Sequence, residues 1–104
     1  VRPAVIVADS FGRAWRVGQT DVAIGLAGLT AVDHWRGRPD AFGRELRVSS
    51  IAIADAAAAA ADLAREKDSL EPVVMVRGLE GHVTSDDGPG AAALLRSPEQ
   101  DLFR

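Results

Sequence analysis

The segment from Asp9 to Asp21 concentrates side chains that can bind metals, anions and planar ligands. It contains two carboxylates, two arginines, one amide, two hydroxyls and a tryptophan. It directly follows the apolar run from Ala4 to Ala8. Because binding and catalytic groups are concentrated in loops that a rigid scaffold holds in place, this segment is predicted to be the functional centre of the chain.

Asp9 and Ser10 place a carboxylate beside a hydroxyl at the predicted end of an apolar strand. Mg²⁺ and Mn²⁺ prefer oxygen ligands, and they need few of them from protein when phosphates complete the shell. The pair is therefore a candidate metal site, with an aspartate that only caps a turn as the alternative. Asp21 can equally hold the loop through hydrogen bonds or meet a ligand.

Arg13, Arg16 and Gln19 are candidates for binding a phosphate or a substrate carboxylate. A guanidinium presents a planar fork of donors that matches both kinds of anion. Solvated surface arginines are the alternative explanation. The chain has no phosphate-loop lysine and serine pattern around its glycines, so a Walker-type nucleotide site is not indicated.

Two strands are predicted to frame this segment. Val5 to Val7 are consecutive β-branched residues, a pattern typical of a short strand buried on both faces, and Asp9 would then follow its end. From Val22 to Leu29, larger residues alternate with small ones. This alternation predicts a strand whose small-residue face is approached closely by another element.

A helix is predicted to begin after Asp55, with that aspartate as its N-cap, and to continue through an alanine run to Lys67. Alanine is nearly its only apolar residue, so it must pack against a neighbouring backbone. Arg65 and Lys67 would complement the helix dipole at the C-terminal end.

The remaining segments complete a predicted α+β fold, with a small mixed sheet, the alanine-rich helix and short C-terminal helices. The further predicted strands are residues 30–35, 44–53 and 72–76, the loops are residues 37–43 and 81–90, and the short helices are residues 91–96 and one starting at 97–99.

Length and composition indicate one domain with a thin core. The 104 residues carry a net charge of −3, which gives no reason to expect duplex nucleic acid or an anionic membrane as a partner. The absence of cysteine excludes disulfides and thiolate chemistry and is compatible with the expected cytoplasmic location. No signal-peptide pattern opens the given sequence, and no membrane-spanning run is expected from it; because it begins with Val1 we expect a piece of a longer protein.

The stretch from Asp9 to Asp21, followed by residues 22–28, resembles the coenzyme F420-0:γ-glutamyl ligase family. The resemblance continues in order through residues 43–46, through 53–55 leading into the alanine-rich helix, and through 72–78 and 101–104. It covers nearly the whole chain, in the latter part of the family's catalytic region. We therefore treat residues 1–104 as a single C-terminal portion of a glutamyl ligase domain.

The resemblance implies a GTP- and divalent-metal-dependent ligase that joins L-glutamate to coenzyme F420-0 through an acyl phosphate. It also implies an intertwined homodimeric α+β fold. The alternatives are a related ligase acting on another carboxylate, and a non-catalytic dimerisation or subunit module that needs the family's earlier part to form the site.

Carried over by position, the family's metal-binding Asp-Thr pair falls on Asp9 and Ser10. The family's nucleotide-contacting stretch falls on Arg65, Glu66 and Lys67, with Glu66 in place of the usual glycine. Arg13, Arg16 and Gln19 are expected to contact substrate or phosphate. No residue is assigned to proton transfer or nucleophilic attack.

Overall fold

The computed structural model describes residues 3–35, 39–44 and 50–100, and it confirms an α+β chain with an alanine-rich helix and short C-terminal helices. The elements are β1 (Val5–Gly12), β2 (Gln19–Ala27), β3 (Asp33–His34), β4 (Ser50–Ile51), α1 (Ile53–Leu63) and 3-10 helices at Glu80–His82, Gly90–Leu94 and Pro98–Gln100. Among the described helices, none combines the length and the apolar character that crossing a membrane demands.

The sheets are two separate antiparallel pairs, β1 with β2 and β3 with β4. The predicted mixed sheet is therefore wrong for the described residues. Strand β1 is also longer than predicted, so Asp9 lies within it and not after its end. Its residues alternate between exposed and half-buried, with Val5 and Val7 more than half exposed, so it is not buried on both faces.

A β-bulge divides the β1–β2 hairpin into two parts. Val7 pairs with Gly25, but the next residue, Ala8, pairs with Ala23, so Ile24 is an extra residue on β2. Beyond the bulge, the register places Ser10 opposite Asp21. Bulges of this kind bend a strand and re-aim its side chains.

Helix α1 packs on the inner face of the hairpin, where small side chains allow close approach. Ala54 is fully buried, and Ala57 and Ala58 are almost so, as is Ala23 of β2. This confirms the packing of an alanine helix against a neighbouring backbone. The predicted small-residue strand face is confirmed only at Ala23, because beyond the bulge Leu26 packs on the core and Gly25 pairs with the exposed Val7. The core is thin, since no large side chain of the described residues is fully buried.

Asp55 does not cap the helix, which begins at Ile53 with Ala52 in the N-cap position and no side-chain cap. Instead, Asp55 lies in the first turn and its Oδ1 accepts a hydrogen bond of 2.9 Å from the backbone N–H of Ala23. The carboxylate is thus used to tie the helix to β2. The helix ends at Leu63, before Arg65 and Lys67, so these cations lie outside its last turn.

The predicted strand at residues 72–76 is wrong. This segment has no assigned strand structure and is largely exposed, with Val73 84% and Met75 76% accessible. Its apolar residues suggested a buried strand, but the described residues offer it no hydrogen-bonding strand partner.

The other predicted elements are partly confirmed. Of residues 30–35, only Asp33–His34 form a strand, and of residues 44–53, only Ser50–Ile51 do, while Ile53 begins the helix. Residues 45–49 of that second predicted strand lie outside the described residues, as do residues 37–38 of the predicted loop and residues 101–104. The residues predicted as a helix at 91–96 form the 3-10 helix Gly90–Leu94.

Candidate functional site

An open cleft of about 510 Å³ lies between the hairpin and the chain that follows α1. The hairpin contributes Ala8, Asp9, Ser10 and Asp21, and the helix end and the following chain contribute Asp62, Arg65, Glu66, Lys67, Leu70, Glu71 and Pro72. The fold therefore brings together the predicted metal residues and the predicted nucleotide segment, although 55 to 58 positions separate them in sequence.

Ser10 is the point at which the hairpin's polar groups meet. Its backbone N–H donates a hydrogen bond of 2.8 Å to Asp9 Oδ1, and its hydroxyl donates one of 3.3 Å to Asp21 Oδ1. Asp9 is exposed to the cleft, whereas Asp21 is only 5% accessible. The two carboxylates thus differ in surroundings, one open to ligands and one held by protein.

Lys67 contacts the hairpin from the opposite side of the cleft. Its Nζ donates a hydrogen bond of 3.1 Å to Ser10 Oγ. Glu66 precedes a tight turn in which both the backbone N–H and the hydroxyl of Ser69 donate to the Glu66 carbonyl, and its own side chain is exposed. Lys67 is therefore in a position to neutralise an anion bound above Ser10.

Arg65 is held mainly by protein groups. Its Nη2 lies 3.6 Å from Asp21 Oδ2, its Nε lies 3.8 Å from Asp62 Oδ1, and its Nη1 donates to the carbonyls of Glu71 and Pro72 at 3.1 and 3.2 Å. The guanidinium therefore ties the hairpin, the helix end and the following segment together.

The predicted substrate residues Arg13, Arg16 and Gln19 do not line this cleft. Arg13 and Arg16 lie in the exposed connection between β1 and β2, and Gln19 begins β2. Arg13 Nη2 donates a hydrogen bond of 3.0 Å to the Val17 carbonyl, which closes this connection on itself. Any role of these three side chains in substrate binding remains a prediction.

Asp9 and Ser10 both line the cleft. They offer adjacent oxygen donors of the kind that Mg²⁺ and Mn²⁺ prefer. In the part of the chain that the structure describes, however, no three His, Cys, Asp or Glu side chains are grouped so that they could hold a metal ion. Phosphate oxygens, water or other protein groups would therefore have to complete the coordination shell.

The sequence predictions missed Asp62 and Glu71 and left the role of Asp21 open. In the sequence, Asp21 precedes the small residues at positions 23, 25 and 27 with the same spacing of two, and a carboxylate on a closely packed face requires partners. That signal was available from the sequence. Asp62 and Glu71 gave no comparable signal, because helix ends and loops commonly carry solvated acids.

Comparison with known proteins identifies a family for the chain. The family model for F420-0:gamma-glutamyl ligase matches residues 1–78. The protein described as coenzyme F420:L-glutamate ligase from Haloarcula marismortui is 44% identical over the whole chain, and that from Methanothermobacter thermautotrophicus is 43% identical over 97% of it. The chain spans only 39% and 40% of these relatives. On this evidence the chain belongs to the F420-0:gamma-glutamyl ligase family.

Proposed function

We propose that this chain is part of a GTP-dependent, divalent-metal-dependent ligase that adds L-glutamate in γ-linkage to coenzyme F420-0. Family membership and the description of the relatives as coenzyme F420:L-glutamate ligase support the reaction class. The chain corresponds to about two fifths of such a relative, so the proposal concerns the enzyme to which these residues contribute.

The observation that carries the proposal is that Asp9, Ser10 and Lys67 line one cleft. Its hairpin side presents the exposed Asp9 carboxylate and the Ser10 hydroxyl, and its other side presents the Lys67 ammonium. Phosphoryl transfer requires oxygen ligands that hold a metal ion and a positively charged side chain that faces the phosphate. The cleft offers both kinds of group. We assign Asp9 and Ser10 to the metal, and residues 65–67 to the nucleotide side.

The proposed reaction has two steps. The γ-phosphoryl group of GTP passes to the carboxylate of F420-0, which gives an acyl phosphate and GDP. The glutamate amine then attacks the acyl carbon, loses a proton and displaces inorganic phosphate, which leaves an amide. Bound metal would offset the charge that develops on the transferring phosphoryl group, and Lys67 would add positive charge on the opposite side.

Isothermal titration with GDP tests the nucleotide and metal assignment. We expect binding that requires Mg²⁺ or Mn²⁺ and that Asp9→Ala weakens by at least about tenfold, because a carboxylate bound to a metal contributes a charge-assisted contact. Asp40→Asn is the control, since Asp40 is not among the residues that line the cleft and its Oδ1 accepts hydrogen bonds from the N–H groups of Phe42 and Arg44. Metal-independent binding, or binding that Asp9→Ala leaves unchanged, would contradict the assignment.

Mass spectrometry of the products tests the reaction. Incubation with F420-0, GTP and L-glutamate is expected to add one glutamate residue per GTP consumed, and repeated addition would lengthen the tail. A glutamylated product from a different carboxylate acceptor, with F420-0 left unmodified, would identify the protein as a ligase of another specificity.

A second candidate function is a non-catalytic dimerisation or subunit module, and an apolar groove supports it. The groove encloses about 880 Å³ between β1, α1 and residues 72–80. Several of its apolar side chains are exposed, among them Val5, Val73 and Met75. Exposed apolar surface of this kind marks contacts with other protein surfaces. A homodimer, or contact with the remaining part of a longer ligase, would cover it.

Analytical ultracentrifugation distinguishes the two candidates when it is combined with an activity assay. A module is expected to self-associate, to bind no nucleotide alone, and to restore ligase activity when mixed with the part of a relative that lies outside the aligned region. Met75→Glu should weaken the association, whereas Phe42→Glu should not, because Phe42 is equally apolar and 91% exposed but lies outside the groove. Glutamylation by the monomeric chain alone would exclude the module.

A further inference from the structure

Asp21 is the one buried charged residue among the described residues, and it lies at the base of the cleft. A buried carboxylate is costly unless it is paired and hydrogen-bonded. Its two oxygens have different partners, since Oδ1 accepts from Ser10 and Oδ2 faces the Arg65 guanidinium. Asp21 therefore connects a residue of the hairpin with a residue from the other side of the cleft.

The strand register fixes the first of these connections. Ser10 and Asp21 are directly opposite each other in the β1–β2 ladder, and opposite residues point to the same face of a sheet. The Ser10 hydroxyl is thereby held between the Asp21 carboxylate and the Lys67 ammonium.

The guanidinium of Arg65 fixes the second connection. Through one side chain, it joins Asp21 to the carbonyls of Glu71 and Pro72, which belong to the segment that carries Lys67. Arginine suits this role because its planar fork bonds several acceptors at once. Each of its three nitrogens has a protein oxygen within 3.1 to 3.8 Å.

We propose that the Asp21–Arg65 ion pair positions the two sides of the cleft, and that Arg65 acts on the nucleotide through this pair and not as a phosphate ligand. This inference rests on the proposed function and deepens it by assigning roles to Asp21 and Arg65. Lys67 then supplies the positive charge that faces the nucleotide, and Asp21 and Arg65 are positioning residues that keep Lys67 opposite Ser10.

The direction in which one substitution changes GDP binding distinguishes the two possible roles of Arg65. Asp21→Asn keeps the shape of the side chain but releases the guanidinium from its carboxylate partner. If Arg65 bound phosphate directly, its release would strengthen GDP binding or leave it unchanged. If the ion pair positions the cleft, Asp21→Asn should weaken binding of GDP with Mg²⁺ by about threefold to tenfold, the range expected for coupled contacting residues.

A second measurement reads the position of Lys67 without metal or nucleotide. Lys67 is the single lysine of the chain, so its rate of modification by an amine-reactive ester can be followed by peptide mass spectrometry. Asp21→Asn and Arg65→Gln should each raise this rate by at least about threefold, because the contact with Ser10 is loosened. Ser10→Ala removes the hydroxyl that accepts the Lys67 hydrogen bond, so its modification rate is the reference for complete loss of this contact. Asp40→Asn is the control for the replacement of an aspartate by an asparagine.

The double variant Asp21→Asn/Arg65→Gln decides whether the two residues act as a unit. We expect its Lys67 modification rate to match that of the single variants, since one broken pair cannot be broken twice. Multiplied effects, or unchanged Lys67 reactivity in folded single variants, would overturn the inference. If Asp21→Asn does not fold, Arg65→Gln alone still tests it. A wild-type chain that binds no GDP with Mg²⁺ contradicts the proposed function, while the Lys67 measurement still decides on the ion pair.

Discussion

The two faces of the β1–β2 hairpin are opposite in character. The inner face meets α1 through small residues and carries a buried carboxylate, whereas the outer face presents Val7, Phe11 and Ile24, all more than half exposed. The chain thus covers one face with its own helix and leaves the other, which also carries Asp9, largely exposed. The difference indicates that the inner face is organised by this chain alone, while the outer face is suited to contact with further protein.

The inner face shows why small residues are used near the cleft. Alanine on both α1 and β2 lets the helix come close enough for the Asp55 carboxylate to reach the backbone N–H of Ala23. The same closeness brings the chain after the helix to within ion-pair distance of Asp21. Larger core side chains would hold these groups apart.

The largest expected effect comes from enlarging the inner face. Ala54→Leu introduces three heavy atoms where no accessible surface remains, and we expect it to lower the free energy of unfolding by about 3 kcal/mol through overpacking. Urea unfolding followed by circular dichroism measures this. Ala60→Leu, at an exposed position of the same helix, is the matched control, and equal destabilisation by both would contradict the packing described here.

An intermediate effect is expected from removing the hydrogen bond between the Asp55 carboxylate of α1 and the backbone of β2. Asp55→Ala leaves the Ala23 N–H without its acceptor, which should cost about 1–2 kcal/mol of stability. Asp55→Asn keeps a side-chain oxygen at the same place and should recover part of the loss. The two variants can be compared in the same urea titration, and identical stabilities would show that the hydrogen bond does not contribute.

The smallest effect is expected on the outer face. Val7→Thr conserves shape and strand propensity at a position that is 55% accessible, so the free energy of unfolding of the dilute chain should change by less than about 0.5 kcal/mol. Ile6→Thr, on the inner face and in contact with the core, should cost more. If Val7→Thr were the more destabilising, the outer face would already be packed within this chain.

The parts of the fold that follow local patterns were predictable from the sequence. The alternation after Val22 and the alanine run after Asp55 predict β2, α1 and their contact at Ala23, but not the bulge that interrupts the alternation at Ile24. The apolar segment 72–76 was misjudged because a β-branched run reports burial or strand propensity but not the presence of a partner strand. The two-residue strands β3 and β4 carry too few residues for a periodic signal.

The site was predictable residue by residue but not as an arrangement. Asp9, Ser10 and Lys67 were identified from the family resemblance, yet nothing local in the sequence shows that the Lys67 ammonium meets the Ser10 hydroxyl. That contact depends on where α1 ends and on the anchoring of the next segment by Arg65. Arg13 and Arg16 illustrate the converse, because nearness to Asp9 in sequence did not bring them to the cleft.

The bulge at Ile24 gives the hairpin two competing alignments that differ by one residue. Between the bulge and the β1–β2 connection, Ser10 pairs with Asp21. If the register that pairs Val5 with Ala27 continued without the bulge, Ser10 would pair with Val22 instead. Such a slip would turn the Asp21 carboxylate to the opposite face, because strand side chains alternate. The packing of Ala23 against the helix selects the first alignment. Correct folding of this hairpin is therefore itself the step that assembles the polar side of the cleft.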